Sequence, residues 1–267
     1  MSGAATIRVS ETLIAIYFAY LSAAAIVRPM PLARRARVWL SAGLAGAVLA
    51  ALVWNVLPRP FRDWVPALLI LLGYYTSGAF YVAPSRRLEE WLVRSDERWI
   101  GARLDRVSPA LVAALDVLYD CTFLLIPAGF AALWWRGRPE LADHYWTLVV
   151  AAEFAAFGTL PFLQARPPWA IEERRPLDHG GVRRFSLALV NRTSICATTL
   201  PSGHAAGSLA VAFGVIGTLP MLGVLLLAIA IGICVGCVVG RYHYTVDVIA
   251  GAVLAVAIWA TVAIAGI

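Results

Sequence analysis

Two of the four histidines stand in patterns that can do chemistry. His204 closes Pro201-Ser202-Gly203-His204, and His243 stands in Arg241-Tyr242-His243-Tyr244-Thr245-Val246-Asp247. His243 and Asp247 are four residues apart, so on a helix they share one face. A carboxylate there holds one imidazole nitrogen protonated and leaves the other free as base or nucleophile. A lone His–Asp pair can also do no more than lock a helix end. Here, however, two apolar stretches run between the histidines, broken at Gly217-Thr218-Leu219-Pro220. If each crosses a bilayer, both histidines meet at the same membrane face. His144 and His179 lie in polar connections with no motif around them and read as solvated loop residues.

The residues around the pair suit an anion. Pro201 and Ser202 favour a helix start, and Gly203 lets backbone amides approach a ligand at a helix N-terminus. Arg166 falls on the same membrane face by parity, and Arg241 lies two residues before His243. Arginine beside a helix N-terminus suits phosphate, which accepts paired hydrogen bonds. The reading is phosphoryl transfer by side chains alone, without metal or cofactor. His204, His243 and Asp247 are the catalytic candidates, and Arg166, Ser202, Gly203 and Arg241 the phosphate-binding ones.

The elements that must position these residues are membrane helices. The 267 residues are 61% hydrophobic and only 14% charged, with a mean hydropathy of +0.76. Soluble domains carry about 25% charged residues, and a bilayer core takes about 20 apolar residues per helix. Eight runs qualify: 11–27, 38–57, 64–82, 111–135, 145–163, 203–219, 221–239 and 244–267. They are continuous rather than alternating, which favours helices over a membrane β-barrel. The expected fold is therefore an all-α polytopic membrane bundle. It divides into N-terminal transmembrane helices (1–83), an interfacial connector (84–108) and a catalytic transmembrane core (109–267). Arg8 and Ala23-Ala24-Ala25 flank the first run as in a signal peptide, but seven further runs favour a retained helix.

Between Ser85 and Ser108 charged residues alternate with Leu88, Trp91, Leu92 and Trp99. That spacing fits an amphipathic helix at the membrane interface, and equally a solvated connector helix. Residues 164–200 form the longest late connection, a length that suggests a lid or binding loop, with Trp169 as an interface anchor. Cys234 and Cys237 form a C-x-x-C inside an apolar run and read as packing residues; the role of Cys196 is open. Acids inside membrane runs are candidates for function. Asp116, Asp120 and Glu153 could orient an alcohol acceptor, but interhelical hydrogen bonding is the favoured reading. The net charge is +6 and every basic residue is arginine, which excludes lysine chemistry. The arginines are spread over loops, which points to lipid contact rather than nucleic acid.

The ordered motifs resemble a known family. Pro201-Ser202-Gly203-His204 followed by His243-x-x-x-Asp247 looks like the second and third signatures of the type 2 phosphatidic acid phosphatase superfamily. Arg166-Pro167 looks like the end of the first. The resemblance covers roughly residues 111–267 and implies a six-helix core shared with haloperoxidases, to which extra N-terminal helices are added. It implies that His243 attacks phosphorus to give a phosphohistidine, that Asp247 orients it, and that His204 protonates the leaving group. Two cations of the family pattern are missing: Thr159 stands seven residues before Arg166, and Cys237 six before His243. The form of the third motif, with Arg166-Pro167-Pro168-Trp169 upstream, is similar to the inositol phosphorylceramide synthase branch. That branch moves a phospho-headgroup between lipids, so the implied partners are a membrane lipid substrate and an alcohol or lipid acceptor.

The two indications of sidedness disagree. Most arginines fall on the motif-bearing side, which the positive-inside rule places in the cytoplasm. The resemblance implies an extracytoplasmic site in a bacterial cell membrane, and that orientation is the expectation carried forward. Other classes stay open: a lipid or ion transporter using the histidines as a proton relay, and a metal hydrolase using His204, His243 and Asp247. An intramembrane serine protease fails because Leu200-Pro201-Ser202-Gly203 lacks the Gly-x-Ser-Gly setting.

Overall fold

The computed structural model describes residues 6–171 and 180–266, and every regular element among them is helical. Three N-terminal helices, α1 (Val9–Val27), α2 (Leu32–Val53) and α3 (Arg59–Gly78), are followed by α4 (Arg86–Trp99). Next come α5 (Pro109–Asp120), α6 (Thr122–Trp135) and α7 (Ala142–Phe157). The chain ends with α8 (Gly180–Thr193), α9 (Gly203–Ile216), α10 (Pro220–Val239) and α11 (Thr245–Ala265). The all-α membrane bundle expected from the hydropathy is what forms.

Burial sorts the helices into an inner and an outer set. Eleven of the 14 residues of α9 and twelve of the 16 of α7 are buried, against six of 20 in α10 and five of 21 in α11. Helix α9 is the centre, packed by α6, α7, α10 and α11. Small residues on its surface permit this: Gly203, Ala206, Gly207, Ala210 and Gly214 let neighbours close in. The outer helices turn Leu225, Ile231, Val253 and Val256 outward, as a lipid-facing surface requires.

The eight expected runs need revision. Among the described helices, α1, α2, α10 and α11 are long and apolar enough to cross a bilayer, and a fifth span arises if α5 and α6 count as one. Those two were expected as a single run, but they are bent by 56° at Cys121. The Thr122 hydroxyl donates to the Tyr119 carbonyl at 2.7 Å, taking the acceptor a continuous helix gives to the amide of residue 123. Helices α7 and α9 span only about 24 and 21 Å at 1.5 Å per residue, short of the roughly 30 Å hydrocarbon core. Their apolar character serves the protein interior instead. The connection 164–200 is also not all loop, since α8 occupies its second half. His144 lies half-buried in the first turn of α7 rather than in a loop, and His179 lies outside the described residues.

The N-terminal helices share one apolar core with α6, α7 and α9. Tyr17 of α1 stacks on Phe154 of α7 at 3.9 Å, and Tyr74 of α3 lies against Phe157 at 5.2 Å. Asp143 caps α1 from the start of α7, accepting from the Val9 and Ser10 amides at 3.0 and 2.9 Å.

Candidate active site

Two chain turns bring the motifs together. At the first, Ser202 caps α9, its hydroxyl accepting from the Ala205 amide at 3.3 Å. At the second, the Tyr242 and His243 amides both donate to the Cys237 carbonyl at 2.9 and 3.0 Å, closing the bend between α10 and α11. Arg241 adopts a left-handed φ of 61° in that bend, a conformation that costs a non-glycine residue about 1–2 kcal/mol. The two turns are stitched by the Ser202 amide donating to the Asp247 carbonyl at 2.9 Å. Gly251 makes this approach feasible, since a Cβ there would lie 2.5 Å from the Ser202 carbonyl oxygen.

The histidines face each other, His243 Nε2 lying 3.4 Å from His204 Nδ1. His243 Nδ1 points the other way, 2.9 Å from the Thr198 hydroxyl. That hydroxyl donates to Asp247 Oδ2 at 2.8 Å, whereas the direct His243–Asp247 separation is 3.5 Å. A hydroxyl has one proton. Given to Asp247, it leaves the Thr198 oxygen to accept from Nδ1–H of His243. The arrangement thus holds His243 with Nε2 bare of a proton. Asp247 Oδ2 also accepts the Tyr244 amide at 3.2 Å, so the acid orients the relay and caps α11 at once. Thr198 is held by its own amide, which donates to the Ala165 carbonyl at 2.9 Å. His204 stacks on Tyr119 at 4.7 Å, and Tyr119 on Tyr242 at 3.7 Å.

Both histidines line a cavity of about 370 Å³ enclosed by α3, α5, α6, α7, α8 and the loops beside them. Its walls are mostly aromatic and aliphatic, with the hydroxyls of Thr199 and several tyrosines. Glu153 and Asp120 are its acids, and no arginine is among its described lining residues.

Ser202 and Gly203 adjoin His204 in sequence and Arg241 stands two residues before His243, but all four phosphate-binding candidates are engaged within the protein, and neither arginine is among the cavity's described lining residues. The Gly203 amide donates to the Thr199 hydroxyl at 3.2 Å. Arg166 forms a two-pronged pair with Glu89 of α4, both bonds at 3.0 Å, and its amide donates to the same carboxylate at 2.9 Å. Arg241 pairs with Asp96 of α4 at 2.5 Å, and Asp96 also accepts the Thr245 amide at 2.8 Å, at the start of α11. Burial raises the Glu89 carboxyl, but the Arg166 hydrogen bonds outweigh it and hold the group below the ordinary glutamate range. Helix α4 is therefore more than an interfacial segment. Its inner face, Glu89, Leu92 and Asp96, holds the segments that carry Arg166 and Arg241, while Trp91 and Trp99 are exposed on its outer side.

Arg183 of α8 completes the support. It is 1% exposed and donates to Asp116 at 2.8 Å, to the Tyr242 hydroxyl at 2.9 Å and to the Gly240 carbonyl at 2.7 Å. Asp120 accepts from Ser186 of α8 at 2.6 Å. The two aspartates of α5 thus serve interhelical bonding, whereas Glu153 has no hydrogen-bond partner among the described residues. Thr159 and Cys237, at the positions of the missing cations, have local roles. The Thr159 hydroxyl donates to the Ala156 carbonyl, and Cys237 is fully buried in the core with Cys234 packed against it. The sequence reading missed Thr198, Arg183, Glu89 and Asp96. None carried a signal of its own, since Arg183 stands beside Arg184, Thr198 beside Thr199, and Glu89 and Asp96 lie in a charged run.

Residues 86–261, about two thirds of the chain, match the PAP2 superfamily. No curated protein and no solved structure matches the chain.

Proposed function

The chain belongs to the PAP2 superfamily, which marks it as a phosphatase-type or phosphotransferase enzyme of the membrane, and we propose that it cleaves a phosphoester of a membrane lipid through a phosphohistidine on His243. The observation that carries this reading is the relay itself. One nitrogen of His243 is tied through Thr198 to Asp247, and the other faces His204 across 3.4 Å at one end of the cavity. Nε2 of His243 attacks phosphorus as the bond from phosphorus to the leaving oxygen breaks, and His204 gives that oxygen a proton. As the imidazole gains positive charge, the Thr198–Asp247 relay strengthens, so it stabilises the transition state more than the ground state. In the second step a hydroxyl attacks the phosphohistidine, His204 takes its proton, and Nε2 is released.

Phosphate recognition by Arg166 and Arg241 belongs to the same proposal and requires each to share its carboxylate partner on α4 with the substrate. A second reading, transfer of a phospho-headgroup to an alcohol, is favoured by the form of the third motif and by the size of the cavity. A volume of about 370 Å³ far exceeds the roughly 10–15 Å³ that one water occupies on the same measure. The discriminating assay presents purified protein with a panel of phospholipids and follows both free phosphate and headgroup exchange. Release without an added acceptor marks a phosphatase, and acceptor dependence a transferase. His204→Ala and His243→Ala are each expected to abolish turnover in a folded protein. Full activity in either overturns the reading, and chelators are expected to leave turnover unchanged.

We place the site on the extracytoplasmic face. Cys196 is exposed two residues before Thr198, so it reports sidedness directly. A membrane-impermeant maleimide is expected to label it in intact cells, with labelling lost in Cys196→Ser. Labelling only after cell lysis reverses the orientation.

A further inference from the structure

Glu153 is the one acid of the site whose role neither the relay nor the helix packing uses. It stands on α7, 3% exposed, without a hydrogen-bond partner among the described residues, and it lines the cavity that holds both histidines. Its position is built rather than incidental. The carboxyl lies against the first turn of α9, where a Cβ on Gly207 would come within 1.9 Å of Oε1 and one on Gly203 within 3.0 Å of Oε2. Two glycines four apart thus clear the space for it, one residue from His204. Asp120 faces the same cavity from α5, with Ser186 as its partner and its other oxygen buried and unpaired.

A buried carboxylate without a cation is costly. No arginine is among the cavity's described lining residues to balance its two acids. Both problems are removed by a substrate that carries its own cation. The remaining walls fit such a group. Tyr74, Tyr75, Phe123, Phe157 and Trp169 line the cavity, and aromatic rings beside a carboxylate are the usual surroundings of a bound ammonium.

We propose that Glu153 and the aromatic walls form a subsite for the ammonium of a zwitterionic phospholipid headgroup, a phosphoethanolamine or phosphocholine type. This rests on the phosphoryl-transfer reading for the fate of the lipid, but the subsite itself is tested by binding. The protein carrying His243→Ala, in nanodiscs, is titrated with dioctanoyl lipids bearing phosphocholine, phosphoethanolamine, or the dimethylbutyl phosphodiester in which carbon replaces the choline nitrogen. The ammonium lipids are expected to bind at least about tenfold tighter than the uncharged isostere. Glu153→Gln, which keeps the shape against Gly203 and Gly207, is expected to reduce that preference to about twofold or less. A preference for only one ammonium lipid identifies the headgroup source and supports the subsite. Equal binding of all three lipids overturns it, as does a preference that survives Glu153→Gln. Because turnover is not read, loss of the phosphohistidine mechanism and loss of the ammonium subsite are separate results.

Discussion

Replacing Thr198 by valine tests the relay behind His243. The substitution keeps the branched shape and the amide bond to Ala165, but removes the hydroxyl between His243 Nδ1 and Asp247 Oδ2. The direct separation is 3.5 Å, too long for a good hydrogen bond. Asp247, whose Oδ1 already lacks a partner, retains only the Tyr244 amide at 3.2 Å and a distant imidazole. A hydrogen bond to a charged group contributes about 1.5–3 kcal/mol. Its loss from the transition state slows phosphorylation of His243 by about 10- to 150-fold. The assay is single-turnover phosphoenzyme formation with saturating lipid, beside thermal unfolding. The expected result is a fall in the rate constant with little change in lipid affinity, and recovery to within about threefold in Thr198→Ser. A Thr198→Val protein that phosphorylates His243 at the wild-type rate refutes the relay, and a fall matched by Thr198→Ser refutes the role of the hydroxyl.

Arg183→Met leaves Asp116 buried beside only the Tyr242 hydroxyl. It should destabilise the protein by about 3–5 kcal/mol, with the pairing of Arg183→Met and Asp116→Asn recovering more than half; denaturant unfolding in detergent reads both. Gly251→Ala forces a methyl to within 2.5 Å of the Ser202 carbonyl. It should cost about 1–3 kcal/mol and depress turnover, although it alters no reacting group; unchanged activity would show that α9 and α11 need not approach so closely. Glu89 has a lower pKa folded than unfolded, so its pair with Arg166 stabilises the protein above the ordinary glutamate range. That contribution is lost as pH falls through the lowered value. The effect is modest because Arg166 is 44% exposed, and Glu89→Gln should flatten this part of the acid limb in a melting-temperature profile against pH.

What the sequence made legible was local. The helix start at Ser202 forms as read, whereas His243 stands just before α11 and meets Asp247 through Thr198, and of the eight apolar runs four become helices long enough to cross a bilayer, or five with α5 and α6 as one. The relay through Thr198 could not be read because it joins positions 45 and 49 residues apart from a loop with no period of its own. The grip of α4 on the site was hidden for a similar reason. Glu89 and Asp96 sit among charged neighbours and look like a solvated face until Arg166 and Arg241 are seen against them. Hydropathy gave no warning that α7 and α9 are short, because a helix surrounded by protein and a helix surrounded by lipid are equally apolar. Glu153 is legible as an acid in an apolar run, but its lack of a hydrogen-bond partner among the described residues is a property of the packed bundle.

In the proposed mechanism His243 carries the phosphoryl group. The most direct measurement incubates the purified protein with a lipid labelled at its phosphate, quenches in alkali, and maps the label by mass spectrometry. A phosphohistidine is expected at His243, stable to base and lost in acid. It should be absent in His243→Ala. Turnover with no label at His243, or a label borne by another residue, contradicts the account.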